Sequence, residues 1–409
     1  MGRTRVGFIW TFAIVIWGIV DVYKATSYED SLRKIYDHIS RNFYRAEPRQ
    51  RAWTYLCGLA EASEELGSSR RHLATYPGER RADGAQRLLT SAQWDEEQVK
   101  SDLVGFIKNR FGACGGTLFL TEMAFRKKGM HAAGVQRQFS LETARYENCQ
   151  IGILLFYQAQ DGSLLLLDRD LYVPQSWIDD PVRCRRASMP AGMSYRSKSE
   201  IAVNLVNRAV SAGVLPEWTL LSLLCTDKGA ARKSLQQAGL PHVMTLTPGE
   251  SAAAGRLSGS QVHTVSQETF AAQPALAKQV AGGPAVTERT REFGRSVPVR
   301  LRRTTLAATP VPGFEVSYLT DSVALRGTGR TAAHYYAYTG REVTNHNLAA
   351  VVSNLKGLMA GSCRFRDDVG IARYEVRSWR GWYRHITLAM VASAAHALSK
   401  TDSSDCWAS

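Results

Sequence analysis

The stretch from residue 117 to residue 150, TLFLTEMAFRKKGMHAAGVQRQFSLETARYENCQ, limits the fold more than any other part of the chain. It opens as an apolar run, so residues 118–125 predict a buried strand. The run ends in Arg126, Lys127, Lys128 and Gly129, a basic loop delivered by the strand. Two more apolar runs follow at 151–158 and 163–173, and Asp161-Gly162 between them is a strong hairpin signal. A helix is predicted over 197–212, with Ile201, Leu205 and Ala209 at helical spacing and Gly213 as its stop. Residues 218–225 then read as a buried strand, 230–238 as a helix and 242–246 as another strand. Three strands, the last two a hairpin, followed by helix, strand, helix, strand, predict a mixed α/β sheet that opens with an antiparallel meander.

The flanks differ from this core. Residues 1–26 form an apolar extension in which 6–20 is apolar apart from Thr11 and follows Arg3 and Arg5. That is shorter than the roughly twenty residues of a spanning helix, and no small-residue cleavage site follows. A membrane anchor and an out-of-place extension both fit the segment, and the extension leaves the membrane an unlikely partner. Residues 27–111 read as an all-helical domain. Leu32, Ile35, Ile39 and Phe43 recur at helical spacing, as do Val99, Leu103, Phe106 and Ile107. Arg45, Arg49 and Arg51 surround Pro48, a residue that suits the start of a second helix. Residues 112–247 make the first part of the core, 248–345 an insertion that is partly β, 346–400 C-terminal helices that complete the core, and 401–409 a disordered tail.

The chain carries 51 basic and 37 acidic residues, a formal net charge of +14. That balance favours a polyanionic partner, nucleic acid before an anionic membrane surface. The seven cysteines stand singly and include no CxxC pair, which excludes a thiolate zinc ribbon and fits reduced thiols in a cytoplasm.

The strand–helix order allows several α/β folds; the early meander points to a ribonuclease-H-like one. Six segments then carry a family resemblance: RAEPRQRA, DGAQRLLTSAQWD, FRKKGMHAAGVQRQFS, ENCQIG, LLLLDRDLYVPQSWIDDPVRC and DDVGIARYEVRSWRGWYRHITLAM. They are collinear, and the chain resembles the bacterial insertion-sequence transposases of the DDE class. The resemblance implies a ribonuclease-H-like catalytic domain with a β-rich insertion, preceded by a helical DNA-binding region. It also implies strand cleavage and transfer at element ends by an oligomer, with Mg²⁺ or Mn²⁺ held by three acids, and a cytoplasmic, nucleoid-associated setting. Two metal ions would hold the attacking and leaving oxygens in line, and Mg²⁺ prefers carboxylate oxygens.

The sequence departs from the family where that chemistry sits. Counting from the flanking motifs, the three acid positions fall at Thr121, Ser222 and Met359, none of them a carboxylate. Three readings are compatible with this. A shifted register would leave Glu122, Asp227 and Asp367 or Asp368 as substitute ligands. Local decay would leave a degenerate copy of the element's protein. Repurposing would leave the fold kept for DNA binding or for another reaction. Glu122, next to Thr121, is expected on the opposite face of the strand. For DNA contact the resemblance and the charge pattern single out Arg126, Lys127, Lys128, Gln136 and Arg137, with Gln138 and His131 beside them, and Arg377, Arg380 and Arg384 near the C-terminus. Trp379, Trp382 and Tyr383 alternate with these arginines and are expected in the core. Asp168 and Asp170 share a strand face and are expected to pair with arginines.

Overall fold

The computed structural model describes residues 28–64, 83–223, 228–246, 286–292, 295–308, 314–321, 333–340 and 342–408. The apolar extension at 1–26 and residues 65–82 and 247–285 lie outside these. The chain divides into two compact units. One comprises the residues up to 112, 163–167 and 365 onward; the other comprises 113–162 and 168–364.

The first unit is helical. Helix α1 covers 28–39 and buries Leu32, Ile35 and Ile39, so its predicted apolar stripe is its packed face. A 3₁₀ turn at Ser40–Asn42 leads to α2 (Ala46–Glu64), with Pro48 in its first turn, where its missing N–H costs nothing. Then come α3 (Asp83–Thr90) and α4 (Glu96–Phe111). The Asp95 carboxylate caps α4, accepting from the backbone N–H of Glu97 and of Gln98 at 3.0 Å each. Asp102 of α4 accepts hydrogen bonds from Arg41, Asn42 and Gln98. Burial raises its pKa, but these donors outweigh that and hold the carboxyl below its ordinary value.

The second unit is built on one sheet. Strand β1 (Thr117–Arg126) lies between β3 (Arg145–Gln158), antiparallel, and β5 (Trp218–Ser222), parallel. β5 continues in parallel to β6 (His242–Thr245). β4 (Leu164–Tyr172) pairs with β3 on the other side. The order β4-β3-β1-β5-β6, antiparallel and then parallel, is the ribonuclease-H-like sheet that the meander led us to expect. β1 is central, and Leu118, Phe119, Leu120, Met123, Ala124 and Phe125 are all buried. Each such large side chain stabilises the fold by about 1.5–3 kcal/mol relative to exposure. Gly162 takes the positive φ of 84° that the β3–β4 turn needs.

Between the strands lie α5 (Gln175–Ile178), α6 (Pro181–Arg186), α7 (Lys198–Ser211) and α8 (Lys228–Gln237). Ser197 and Glu200 form a capping box that fixes the start of α7.

Three expectations change. A short strand, β2 (Gln136–Ser140), pairs with residues 145–149, so β3 begins six residues before the predicted 151 and the basic segment ends in a hairpin. The reason is that pairing with β2 satisfies backbone groups of a polar stretch that no apolar run marks. The inserted segment adds β7 (Val286–Glu292), β8 (Arg295–Ala308), β9 (Phe314–Asp321) and β10 (Ala333–Gly340), which continue the same sheet from β6 by antiparallel pairing. Helix α9 spans Asn345–Asp368, and α10 runs from Trp379 to Ala408, through the expected disordered tail. There Asp402 accepts from Lys34 and Arg110 at 2.9 and 3.0 Å. α10 packs against α2, α3 and α4 and so groups with the N-terminal helices.

Candidate active site

The parallel pairing of β1 and β5 brings Thr121 and Ser222 into register as direct neighbours. Adjacent strands are ~4.8 Å apart, so two residues in register present their side chains side by side on one face. Ser222 is the last residue of β5, at the carboxyl end of a parallel strand, where open α/β sheets place their ligands. Both side chains are buried, Thr121 at 6% exposure and Ser222 at 1%. Met359 is half-buried on α9. That helix is tied to the sheet by Asn354, which donates to the Gln158 side chain at 2.8 Å, and by an ion pair between Lys356 and Asp321.

Two neutral hydroxyls and a thioether bring no negative charge to a hard divalent cation, which favours carboxylate oxygens. Glu122 is buried on the opposite face from Thr121, and its Oε2 accepts from Lys198 Nζ at 2.7 Å. Lys198 is the first residue of α7 and also lies over the Tyr172 ring at 5.4 Å. Glu122 is thus charge-compensated and joins β1 to the start of α7. Asp227 lies outside the described residues. Asp367 and Asp368 are exposed at the end of α9. Among the described residues, no group of three or more His, Cys, Asp or Glu side chains is arranged to hold a metal. The residues at these three positions do not fit Mg²⁺ or Mn²⁺.

Asp168 and Asp170 on β4 are ion-paired, as expected. Asp170 accepts from Nη1 and Nη2 of Arg196 at 2.9 and 3.1 Å, and Asp168 accepts from Nε of Arg208 at 2.8 Å.

The basic segment is held in shape by its neighbours. The Asn148 amide donates to the carbonyls of Lys127 and Gly129, and Gln150 donates to that of Ala133. Arg183 and the Trp177 indole both donate to the Val135 carbonyl. Gly134 has φ of +74°, and a Cβ there would stand 2.9 Å from the Tyr172 carbonyl oxygen, so only glycine fits. On this frame Lys128, His131 and Arg137 are exposed and Lys127 is half-buried. Arg126 is exposed and paired with Glu147 at 3.0 Å. Gln136 accepts from Ser176, and Gln138 is buried against the carbonyls of Gly134 and Cys149.

Near the C-terminus Arg377 and Arg380 are exposed. Arg384 is not available to DNA, contrary to expectation. It is fully buried and donates to the carbonyls of Leu88 and Trp94 and to Glu96. Burial lowers its pKa, and Glu96 opposes that shift. Trp382 is in the core as expected, while Trp379 and Tyr383 are half-buried. Sequence reasoning missed Lys198, although its place directly after a Ser cap marks it as a helix-start residue that points back to the sheet. It also missed the β2–β3 hairpin, whose only cue was the alternation in 136–140.

A search of curated proteins finds no match to this chain. The model of a family described as DDE superfamily endonuclease matches residues 35–290, more than half of the chain. That match begins in the helical unit and spans β1 to β6, the same sheet in which Thr121 and Ser222 stand side by side. By this match and this sheet order, the chain belongs to the DDE superfamily endonuclease family.

Proposed function

We propose that this protein is an insertion-sequence transposase by descent that binds DNA and does not cut it. One observation carries the reading: Thr121 beside Ser222 on adjacent parallel strands. The family's chemistry needs carboxylates at that place to hold Mg²⁺ or Mn²⁺, and neutral hydroxyls bring none of the negative charge that holds two such ions. The nearest buried acid, Glu122, faces away and is committed to Lys198. DNA affinity is supported by the net charge of +14 and by the exposed Lys128 and Arg137 on the rigid basic segment. In this reading the protein recognises element ends in the cytoplasm, near the nucleoid.

The test is to incubate the purified full chain with labelled DNA carrying the ends of its element, with Mg²⁺, with Mn²⁺ and with neither. We expect a retarded complex in all three conditions and intact strands throughout. Metal-dependent nicking would overturn the reading. A lack of DNA affinity at low salt would overturn it as well, and would favour a fold repurposed for another reaction.

A further inference from the structure

The β2–β3 hairpin carries an aromatic side chain that the fold does not use. Tyr146 is 66% exposed, on a two-stranded ribbon whose register is fixed by pairing from Gln136↔Cys149 to Ser140↔Arg145. Its partner across the ribbon is Phe139, and the two rings meet edge to face with centroids 5.4 Å apart at 80°. That contact props the Tyr146 ring upright and leaves most of its surface in water. Side chains alternate along strands, so Arg137 and Asn148 share this face. Arg137 is exposed, and Asn148 holds the loop of Lys127 and Gly129, so that the exposed Lys128 is fixed beside the ribbon. Glu147 is turned to Arg126. An upright, water-exposed phenol ring flanked by cations is the arrangement that takes a nucleic-acid base by stacking, with its phosphates held on either side.

From this we infer that the Tyr146 face of the β2–β3 hairpin binds DNA at an unpaired base, the ring stacking on the base while Lys128 and Arg137 hold the adjoining phosphates. The inference rests on the DNA reading above and deepens it. A continuous duplex offers this ring no free base face, whereas a strand junction, an extruded base or a single strand does. Tyr146 therefore sets a preference among DNA structures, and the two cations set affinity for all of them.

The probes are three fluorescein-labelled oligonucleotides of one sequence: single-stranded, fully duplex, and duplex with one unpaired 2-aminopurine. Anisotropy titrations of the full chain at low salt compare wild type with Tyr146→Ala, Tyr146→Trp and Lys128→Ala/Arg137→Ala. Wild type should favour the single-stranded and unpaired-base probes and quench or shift 2-aminopurine emission. Tyr146→Ala should lose that preference, binding those probes roughly 5- to 100-fold more weakly, with duplex binding unchanged. Tyr146→Trp should restore both the preference and the emission change. The double cation variant should weaken all three probes alike and flatten the salt dependence. Because Tyr146 is on the surface, its variants should melt with the wild type, which separates this effect from misfolding. If Tyr146→Ala binds the unpaired-base probe as tightly as wild type, the stacking role is overturned while the DNA reading stands. If the wild type binds none of the probes, both are overturned.

Discussion

At the scale of the residue, the proposed loss of cutting turns on the hydroxyl pair Thr121 and Ser222. Thr121 and Ser222 are register partners, so carboxylates at both positions would lie within reach of one cation. Without a cation, two buried like charges a few ångströms apart repel, and each also pays a desolvation cost. The variant Thr121→Asp/Ser222→Asp should therefore be less stable than wild type in a metal-free buffer, by about 2–4 kcal/mol. Added Mn²⁺ should recover much of that loss, since a ligand that binds only the folded state stabilises it by mass action. Thermal melts with and without Mn²⁺ measure this directly. Wild type, with hydroxyls at both positions, should show no Mn²⁺-dependent rise in Tm. If the double variant shows none either, the two positions do not face one site.

At the scale of the element, the chain shows which features a sequence displays and which it hides. The buried strands β1, β3, β4, β5 and β6 were legible because each is a short apolar run bounded by turn residues. The ribonuclease-H-like order followed from them. The β2–β3 hairpin was not legible, because QRQFS and RYENC carry mixed polar residues whose pairing satisfies backbone groups and not a hydrophobic face. That Thr121, Ser222 and Met359 are not carboxylates is plain in the sequence, but the pairing of Glu122 is not. It depends on Lys198, 76 residues away in sequence. Arg384 departs from expectation for a related reason. Its position among WRGWYR suggests a charged surface, yet the helix turns it inward, onto the Leu88 and Trp94 carbonyls and 4.8 Å over the Trp94 ring. It joins α10 to α3 and to the start of α4. Arg384→Met should therefore destabilise the helical unit by about 3–5 kcal/mol, because it strands two buried carbonyls and removes a partner of Glu96. Denaturant unfolding followed by circular dichroism would measure it. A cost within about 0.5 kcal/mol, the range of ordinary surface substitutions, would return Arg384 to the surface.

At the scale of the whole molecule, the net charge of +14 overstates the charge available to DNA. Arg169 and Arg384 are fully buried, and Arg196 and Arg208 are committed to Asp170 and Asp168. Among the described residues of the sheet unit, the exposed set that remains for phosphate contact includes Lys128, Arg137, Arg145, Arg185 and Arg186. Each phosphate neutralised releases condensed counterions, so the logarithm of the binding constant falls with the logarithm of salt by about 0.9 per contact on duplex DNA. If about six of these cations engage, affinity for any duplex should drop by about 10³ between roughly 50 and 200 mM salt. Removing Lys128 or Arg137 should each reduce the slope by about one, whereas Arg196→Gln, which breaks an internal ion pair, should leave it unchanged. Anisotropy titrations across a salt series measure these slopes. A slope that ignores Lys128 and Arg137 but responds to Arg196 would mean that the phosphates lie against α7 and β4, and the basic segment after β1 would then have to be read as solvated surface.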